Sequence, residues 1–158
     1  MNNIEEYNKI QKQWIVFQKE NKKVRIRDAA NTLKVSEASL LSTEIDEKTY
    51  FLRINNFEDF FNKILSIDKL MFLIRSDISV HEKVVNGVDL QFKKNKFISK
   101  EDSSLILKFN KQLFKYSFFQ KKKHGNRELR SFQIFDEIGN AIFKIYLKGK
   151  DKSLFDQI

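Results

Sequence analysis

The chain has 158 residues and a formal net charge of +9, with 41% apolar residues and no cysteine. This length can bury a core without disulfide bonds, and the missing cysteine excludes thiolate nucleophiles and cysteine-ligated metal clusters. The N-terminal residues lack the basic and apolar regions of a signal peptide, and the longest apolar run, Leu70–Ile74, is too short to span a bilayer. We therefore expect a soluble cytoplasmic protein without membrane insertion.

The positive charge is concentrated in the second half of the chain. Residues 1–79 carry 13 Lys and Arg against 12 Asp and Glu, whereas residues 80–158 carry 17 against 9. An anionic partner would therefore meet the second half. A solvated lysine-rich surface explains the same pattern equally well.

Residues 1–66 are predicted to be mainly helical. Apolar residues recur at three- and four-residue steps from Ile4 to Phe17, which predicts an amphipathic helix. A second short helix is predicted over residues 25–34. Ser36 is expected to cap a third helix, and a fourth begins near Asn56.

The segment from Ile26 to Leu41 has the spacing of a helix-turn-helix, which raises the question of DNA binding. A recognition helix needs Arg, Lys, Asn or Gln to reach phosphates and base edges. Its second helix, followed to residue 44, has none of these and instead carries Glu37 and Glu44, which phosphates would repel. We therefore interpret the pair as a structural corner whose apolar side packs on the sheet.

From residue 67 to residue 150 the pattern changes to short strands and predicts an antiparallel meander. Asn86-Gly87 is typical of a tight hairpin turn because both residues tolerate positive φ. Residues 121–128 are predicted to form a polar loop, and residues 151–158 to begin a terminal helix. The last hairpin turns at Gly139-Asn140 and is expected to place five apolar residues on one face: Phe132, Ile134, Ala141, Phe143 and Ile145.

These elements predict a single α+β domain over residues 1–158. Short N-terminal helices would pack on a large antiparallel β-sheet. The sequence contains no internal repeat and no linker.

Few residues offer catalytic or metal chemistry. The two histidines are His81, in an alternating strand run, and His124, in the basic segment. Neither belongs to a His-x-x-His or Glu-x-x-His pattern, and a lone strand histidine is more often structural than a ligand. No phosphate-binding glycine loop or nucleophile elbow is present.

Three segments occur in order along the chain: RDAANTLKVSEASLL, LIRSDISVHEKV and LRSFQIFDEIGNAIFKIYL. Together they resemble the HemS/ChuS-type haemin-degrading and haem-trafficking family, with the related ChuX/HutX group. The residues that carry the match are Arg27, Asp28, Ala30, Ser36, Glu37, Ala38, Leu40, Arg75, Val80, His81, Glu82, Ser131, Gln133, Phe135, Asp136, Gly139, Ala141, Lys144 and Tyr146.

The resemblance implies a HemS-like fold that binds haem in the cytoplasm during haem uptake and utilisation. Some family members degrade haem and others carry it. For this chain we expect carriage, and degradation of haem stays an open alternative. HemS-type members contain two tandem repeats, and this chain corresponds to one of them. The resemblance therefore implies a homodimer or a separately encoded second repeat as a partner.

Four residues are candidates for contact with haem. His81 and His124 are the histidines that could ligate the haem iron. The main axial histidine of HemS-type members lies in their second repeat and has no counterpart here. Leu107 or Lys108 lies near the position of a family arginine that faces the haem, and Lys108 is the candidate of the two; Arg75 belongs to the second matching segment.

The sequence also permits two alternatives to haem binding. The chain could be a divergent repeat that keeps the scaffold and has lost the haem site. The basic second half also interleaves lysines with aromatic residues, a pattern that can stack bases. Nucleic-acid binding is the weaker alternative because the sequence contains no RNA-recognition motif.

Overall fold

The computed structural model describes residues 4–46, 48–101 and 104–149, without the side chain of His124. The described helices are α1 (Ile4–Glu20), α2 (Ile26–Leu33), α3 (Glu37–Ser42) and α4 (Phe57–Leu65). The described strands are β1 (Thr49–Phe51), β2 (Lys69–Arg75), β3 (Val80–Asn86), β4 (Leu90–Lys93), β5 (Lys96–Ser99), β6 (Ile106–Lys108), β7 (Tyr116–His124), β8 (Arg127–Phe135) and β9 (Ala141–Leu147). The predicted terminal helix lies outside the described residues.

Two helices begin at the caps that the sequence predicts. The side chain of Ser36 accepts a hydrogen bond from the backbone N–H of Ser39 at 3.1 Å and so starts α3. The side chain of Asn56 accepts from the N–H groups of Glu58 and Asp59 and so starts α4. Both caps satisfy backbone donors that have no partner within the helix.

The strands form one large and one small antiparallel sheet. The six-stranded sheet has the order β1-β7-β8-β9-β2-β3, and the three-stranded sheet has the order β4-β5-β6. The predicted α+β class with a large antiparallel sheet is confirmed. The arrangement departs from a simple meander because β9 returns to pair with β2, and because β4–β6 leave for the second sheet. The short strand β1 also lies in the region predicted to be mainly helical.

The predicted hairpin turn at Asn86-Gly87 is wrong. Asn86 has a φ of −83°, and Gly87 opens a short 3-10 turn without a positive φ. Glycine is needed here for close packing, since an added Cβ would lie 2.3 Å from the carbonyl oxygen of Ile67. A turn with two positive φ values occurs instead at Lys94-Asn95, between β4 and β5.

The predicted polar loop over residues 121–128 is also wrong. β7 and β8 continue as a two-stranded hairpin through this region, and the last pair is His124 with Arg127. The side chains here are largely exposed. The segment therefore lacks the apolar alternation by which a half-buried strand is recognised from sequence.

One face of the six-stranded sheet, here called the core face, is covered by α4 and the three-stranded sheet. Phe61 of α4 is fully buried, and its ring centroid lies 4.7 Å from that of Phe92 and 5.0 Å from that of Phe97. Four of the five apolar residues predicted for the last hairpin pack in this core: Phe132, Ile134, Phe143 and Ile145.

Ala141 is the exception to that prediction. It packs with Phe118 and Phe135 on the other face of the sheet. The pairing of β8 and β9 shifts register between Ile134 and Phe135, and such a shift reverses the face of the residues beyond it.

The helical corner packs on this second face. Most of α3 is buried: Glu37, Ala38, Leu40, Leu41 and Ser42. Its two leucines and Ala38 contact α1, α2 and the aromatic residues of β7 and β8. A helix buried in this way cannot enter a DNA groove, so the interpretation as a structural corner is confirmed. Within the three described ranges, no helix is long and apolar enough to cross a membrane.

Candidate functional site

Of the three segments that resemble the HemS/ChuS-type family, the first and the third meet where the helical corner contacts the sheet. The N–H of Ala38 donates to the carbonyl oxygen of Gly139 at 3.1 Å. Beside this contact, the Nζ of Lys144 donates to Oε2 of Glu37 at 2.7 Å, and both side chains are buried. Residues far apart in sequence therefore hold the corner in place.

The second segment joins the same assembly through Arg27 of α2. Its guanidinium forms an ion pair with Asp77, in the turn between β2 and β3. It also donates a hydrogen bond to the carbonyl oxygen of Arg75 at 3.4 Å. The three segments thus form one structural unit that sets α2 and α3 against the second face of the sheet.

A cleft of about 790 Å³ lies beside this corner on the second face, and we call it the basic cleft. The connection between α1 and α2 forms one wall, and residues of β2, β7, β8 and β9 form the other. Its volume falls within the range of roughly 300–1,000 Å³ that is common for small-molecule sites. The cationic residues that line it are Lys22, Lys23, Arg25, Arg27, Arg75, Lys122, Lys123 and Lys144.

In the part of the chain that the structure describes, most of these cations have no acidic partner and can meet a ligand. Glu37 is the acidic residue lining the cleft, and it is already paired with Lys144. Burial lowers the pKa of Lys144, although the carboxylate of Glu37 opposes this effect. Apart from Lys144 and Arg27, the lining cations have no carboxylate at ion-pair distance among the described residues. The cleft therefore attracts anions.

Arg75 supplies a buried donor inside this cleft. Its Nε is buried and has no hydrogen-bond partner among the described residues. A buried donor without a partner costs about 1–3 kcal/mol, so an anionic acceptor bound here would relieve that cost. Burial raises the pKa of the neighbouring Tyr146, so at neutral pH its hydroxyl is protonated and can donate to a ligand.

The floor of the cleft also contains two buried amides that the sequence did not single out as site residues. Gln120 lies on β7 and Gln133 on β8, and their side chains are hydrogen-bonded to each other at 3.2 Å. Gln133 was among the residues matching the family pattern. A further signal for Gln133 was its position as a polar residue between Phe132 and Ile134.

The four predicted haem-contacting residues are not brought together. Arg75 lines the basic cleft. His81 is exposed and pairs with Ile74, whereas Arg75 pairs with Val80. Since successive strand residues point to opposite faces, His81 and Arg75 lie on opposite faces of the sheet.

The other two candidates lie in different sheets. Lys108 is exposed on β6 and pairs with Lys96 in the three-stranded sheet, away from the cleft. The backbone of His124 ends β7 next to Gly125, which lines the cleft. Of these two regions, only the end of β7 adjoins the cleft that Arg75 lines.

Residues 34–157 match the family described as the haemin-degrading HemS.ChuX domain. The chain belongs to the HemS/ChuX family. No curated protein matches it. The segments that carried the resemblance are, in the structure, those that join the helical corner of the HemS/ChuX domain to its sheet.

Solved structures share this fold. Holo-PhuS, a heme-binding protein from Pseudomonas aeruginosa, aligns with a TM-score of 0.80 and 20% identity over 96% of this chain and 45% of its own. The heme-degrading enzyme ChuS from Escherichia coli O157:H7 aligns at 0.81 and 18%, with coverage of 96% and 45%. ChuX aligns at 0.69 and 12%, with coverage of 90% and 85%. At these identities the likeness shows the fold alone, and this HemS/ChuX chain spans 45% of the length of PhuS and ChuS.

Proposed function

We propose that this protein binds haem in the basic cleft and carries it during haem utilisation in the cytoplasm. The observation that supports the proposal most directly is the Nε of Arg75, which has no hydrogen-bond partner among the described residues, in a cation-lined cleft of a HemS/ChuX domain. PhuS is a heme-binding protein and ChuS a heme-degrading enzyme. We extend haem binding, and not degradation, to this chain.

The residues that line the cleft fit the chemistry of haem. A haem site needs apolar contact for the porphyrin ring, cations for two propionates and an axial ligand for iron. Val24, Leu73 and Ile142 offer apolar contact. Arg75 can donate to a propionate, and the exposed lysines at the rim add positive potential around it.

His124 is the axial ligand that we propose, because its backbone lies at the cleft. His81 would need a separate site on the core-face side of β3, where it is exposed. The two histidines therefore give a matched pair of variants. Tyr146 remains an alternative ligand within the cleft itself.

Titration of the wild-type protein with haemin is expected to give a saturable shift of the Soret band. In His124→Ala, loss of the axial ligand should weaken haemin affinity by at least about tenfold and change the position of the Soret band. In His81→Ala, both affinity and spectrum should match the wild type within about twofold, a change of under ~0.5 kcal/mol.

A weakening confined to His81→Ala would contradict the cleft as the haem site. A featureless titration of the wild type would contradict haem binding altogether.

Because the chain spans 45% of PhuS and ChuS, we also propose a second copy or a separately encoded second repeat as partner. Light scattering on the haemin-loaded samples would report a mass above that of one chain if a second copy binds.

Arg75→Gln is expected to weaken haemin binding by about tenfold to a hundredfold, because it removes a charged donor worth about 1.5–3 kcal/mol. The main-chain contact from Arg27 to residue 75 is retained in this variant. Arg53→Gln is the matched control, since Arg53 is exposed outside the cleft. Affinities measured by fluorescence quenching should fall only for Arg75→Gln, and an equal loss in both variants would point to nonspecific attraction by net charge.

A further inference from the structure

We infer that a second cavity, lined by α1, α3, β1, β7 and the β8–β9 turn, binds an organic ammonium ion, that is, a protonated amine on an apolar body. The cavity has a volume of about 580 Å³ and lies on the second face of the six-stranded sheet. Tyr116 and Phe118 of β7 line this second cavity, whereas Gln120 and Lys122 of the same strand line the basic cleft. The two sites share no lining residue, so the inference does not depend on haem binding.

The second cavity differs from the basic cleft in charge. Its charged lining residues are Glu6 of α1 and Glu137 of the β8–β9 turn, and no Lys or Arg among the described residues lines it. Neither carboxylate has a cation at ion-pair distance within the described ranges. The chain as a whole carries +9, so this cavity runs against the overall charge. Its local potential favours a cation.

Hydroxyl groups at the C-terminal end of α3 add hydrogen-bond acceptors to the same cavity. Oγ of Ser42 donates its hydrogen to the carbonyl oxygen of Ser39 at 2.7 Å, and Oγ1 of Thr43 donates to that of Leu40 at 2.7 Å. A hydroxyl has a single hydrogen, so both oxygens can only accept from a ligand. A protonated amine has only donors and complements these oxygens, whereas a carboxylate has only acceptors and does not.

Aromatic rings supply the apolar part of this site. Phe51 of β1 and Phe118 of β7 line the cavity as an edge-to-face pair with ring centroids 5.5 Å apart. Tyr7 and Tyr116 line it as well. The face of an aromatic ring attracts an organic cation. Phe51 is 45% exposed and Ile138, also at the cavity, is 69% exposed, so an apolar body bound here would remove both from water.

The turn that carries Glu137 is fixed before any ligand binds. Oδ1 of Asp136 accepts hydrogen bonds from the backbone N–H groups of Ile138 at 3.1 Å and Asn140 at 2.8 Å. The carbonyl oxygen of Gly139 is bonded to the backbone of α3. A fixed turn reduces the ordering entropy that a ligand must overcome.

Three ligands with the same phenyl body and different charge test the inference on the full chain: phenethylamine, 2-phenylethanol and 3-phenylpropionate. Phenethylamine, a cation at neutral pH, is expected to bind at least about tenfold more tightly than the alcohol, a difference of ~1.4 kcal/mol. NMR titration of the isotope-labelled protein measures both affinities and should locate the shifts at α3 and residues 137–139. The phenylpropionate anion should cause no shifts there, although net charge alone would favour it.

Glu137→Gln is expected to weaken phenethylamine by about three- to tenfold and to leave 2-phenylethanol within about twofold, because only the amine makes a charge-assisted contact. Glu6→Gln is a second variant with the same expected result. Glu58→Gln is the matched control, since it removes the same charge from an exposed site on α4, which covers the core face. Its affinity for each ligand should stay within about twofold of wild type.

Equal affinity of wild type for the amine and the alcohol would overturn the inference. An equal loss of amine binding in Glu137→Gln and Glu58→Gln would also overturn it, because it would indicate long-range attraction without a site. Amine-induced shifts confined to the basic cleft would place the ligand elsewhere and have the same consequence. Haemin titrations of these variants should match wild type, so failure of either proposal is read independently of the other.

Discussion

Lys144→Met is expected to lower the free energy of unfolding by about 3–5 kcal/mol, the usual cost of removing one member of a buried ion pair. Lys144 is 8% exposed and its partner Glu37 is 5% exposed, with 2.7 Å between Nζ and Oε2. The substitution leaves the carboxylate of Glu37 buried without its cation. Urea denaturation followed by circular dichroism measures the loss.

A double variant separates the net contribution of the Glu37–Lys144 ion pair from the cost of leaving one of its charges buried and unpaired. Replacing both members of a buried ion pair with apolar residues of similar volume is often neutral or stabilising, because it removes both buried charges together. Glu37→Leu combined with Lys144→Met should therefore regain most of the lost stability. Lys148→Met, at an exposed position, should stay within about 0.5 kcal/mol of wild type. A double variant as unstable as the single one would contradict this account.

Gly139→Ala is expected to destabilise the protein by about 2–5 kcal/mol. Gly139 has a φ of 84°, a conformation that costs other residues about 1–2 kcal/mol. An added Cβ would also lie 2.3 Å from Oγ of Ser36, the cap of α3. The change thus strains the turn and pushes the helical corner off the sheet.

Gly125→Ala separates these two causes. Gly125 also has a positive φ, of 59°, but an added Cβ there would meet nothing within 4 Å. Thermal unfolding should therefore show a loss of only about 1–2 kcal/mol for Gly125→Ala. Adding Ser36→Gly to Gly139→Ala should recover the steric part, because glycine remains an acceptable cap. Equal losses in the two alanine variants would mean that contact with Ser36 contributes nothing.

Helix starts and strand positions were predictable because their signals are local. Ser36 and Asn56 cap the helices that follow them, and the alternation in β8 and β9 places four of five apolar residues in the core. Turns were less predictable because glycine is favoured both by a positive φ and by close packing against a neighbouring backbone, and the sequence does not distinguish the two. Gly87 is required by the nearby backbone of Ile67 and not by its own φ, and that contact is invisible in the sequence.

The candidate site could be predicted only in part. Arg75 was named from the sequence and lies in the basic cleft, whereas the roles proposed for His81, His124 and Lys108 stay predictions. Gln133 was visible as a family match, but the amide chain that holds it runs through Gln120 to Glu44, and among the described residues this chain leaves its Oε1 without a donor. No sequence rule connects residues that lie this far apart along the chain.

The sequence by itself determined the α+β class, the helical corner and membership of the HemS/ChuX family, because caps, strand periodicity and ordered motifs depend on neighbouring residues. Only the tertiary structure decided which side chains share a surface. Strand pairing sets His81 and Arg75 on opposite faces, and the packing of α3 joins Glu37 to Lys144. A cleft is formed by residues from several elements, so its charge and its unmet hydrogen bonds exist only after those elements have packed together.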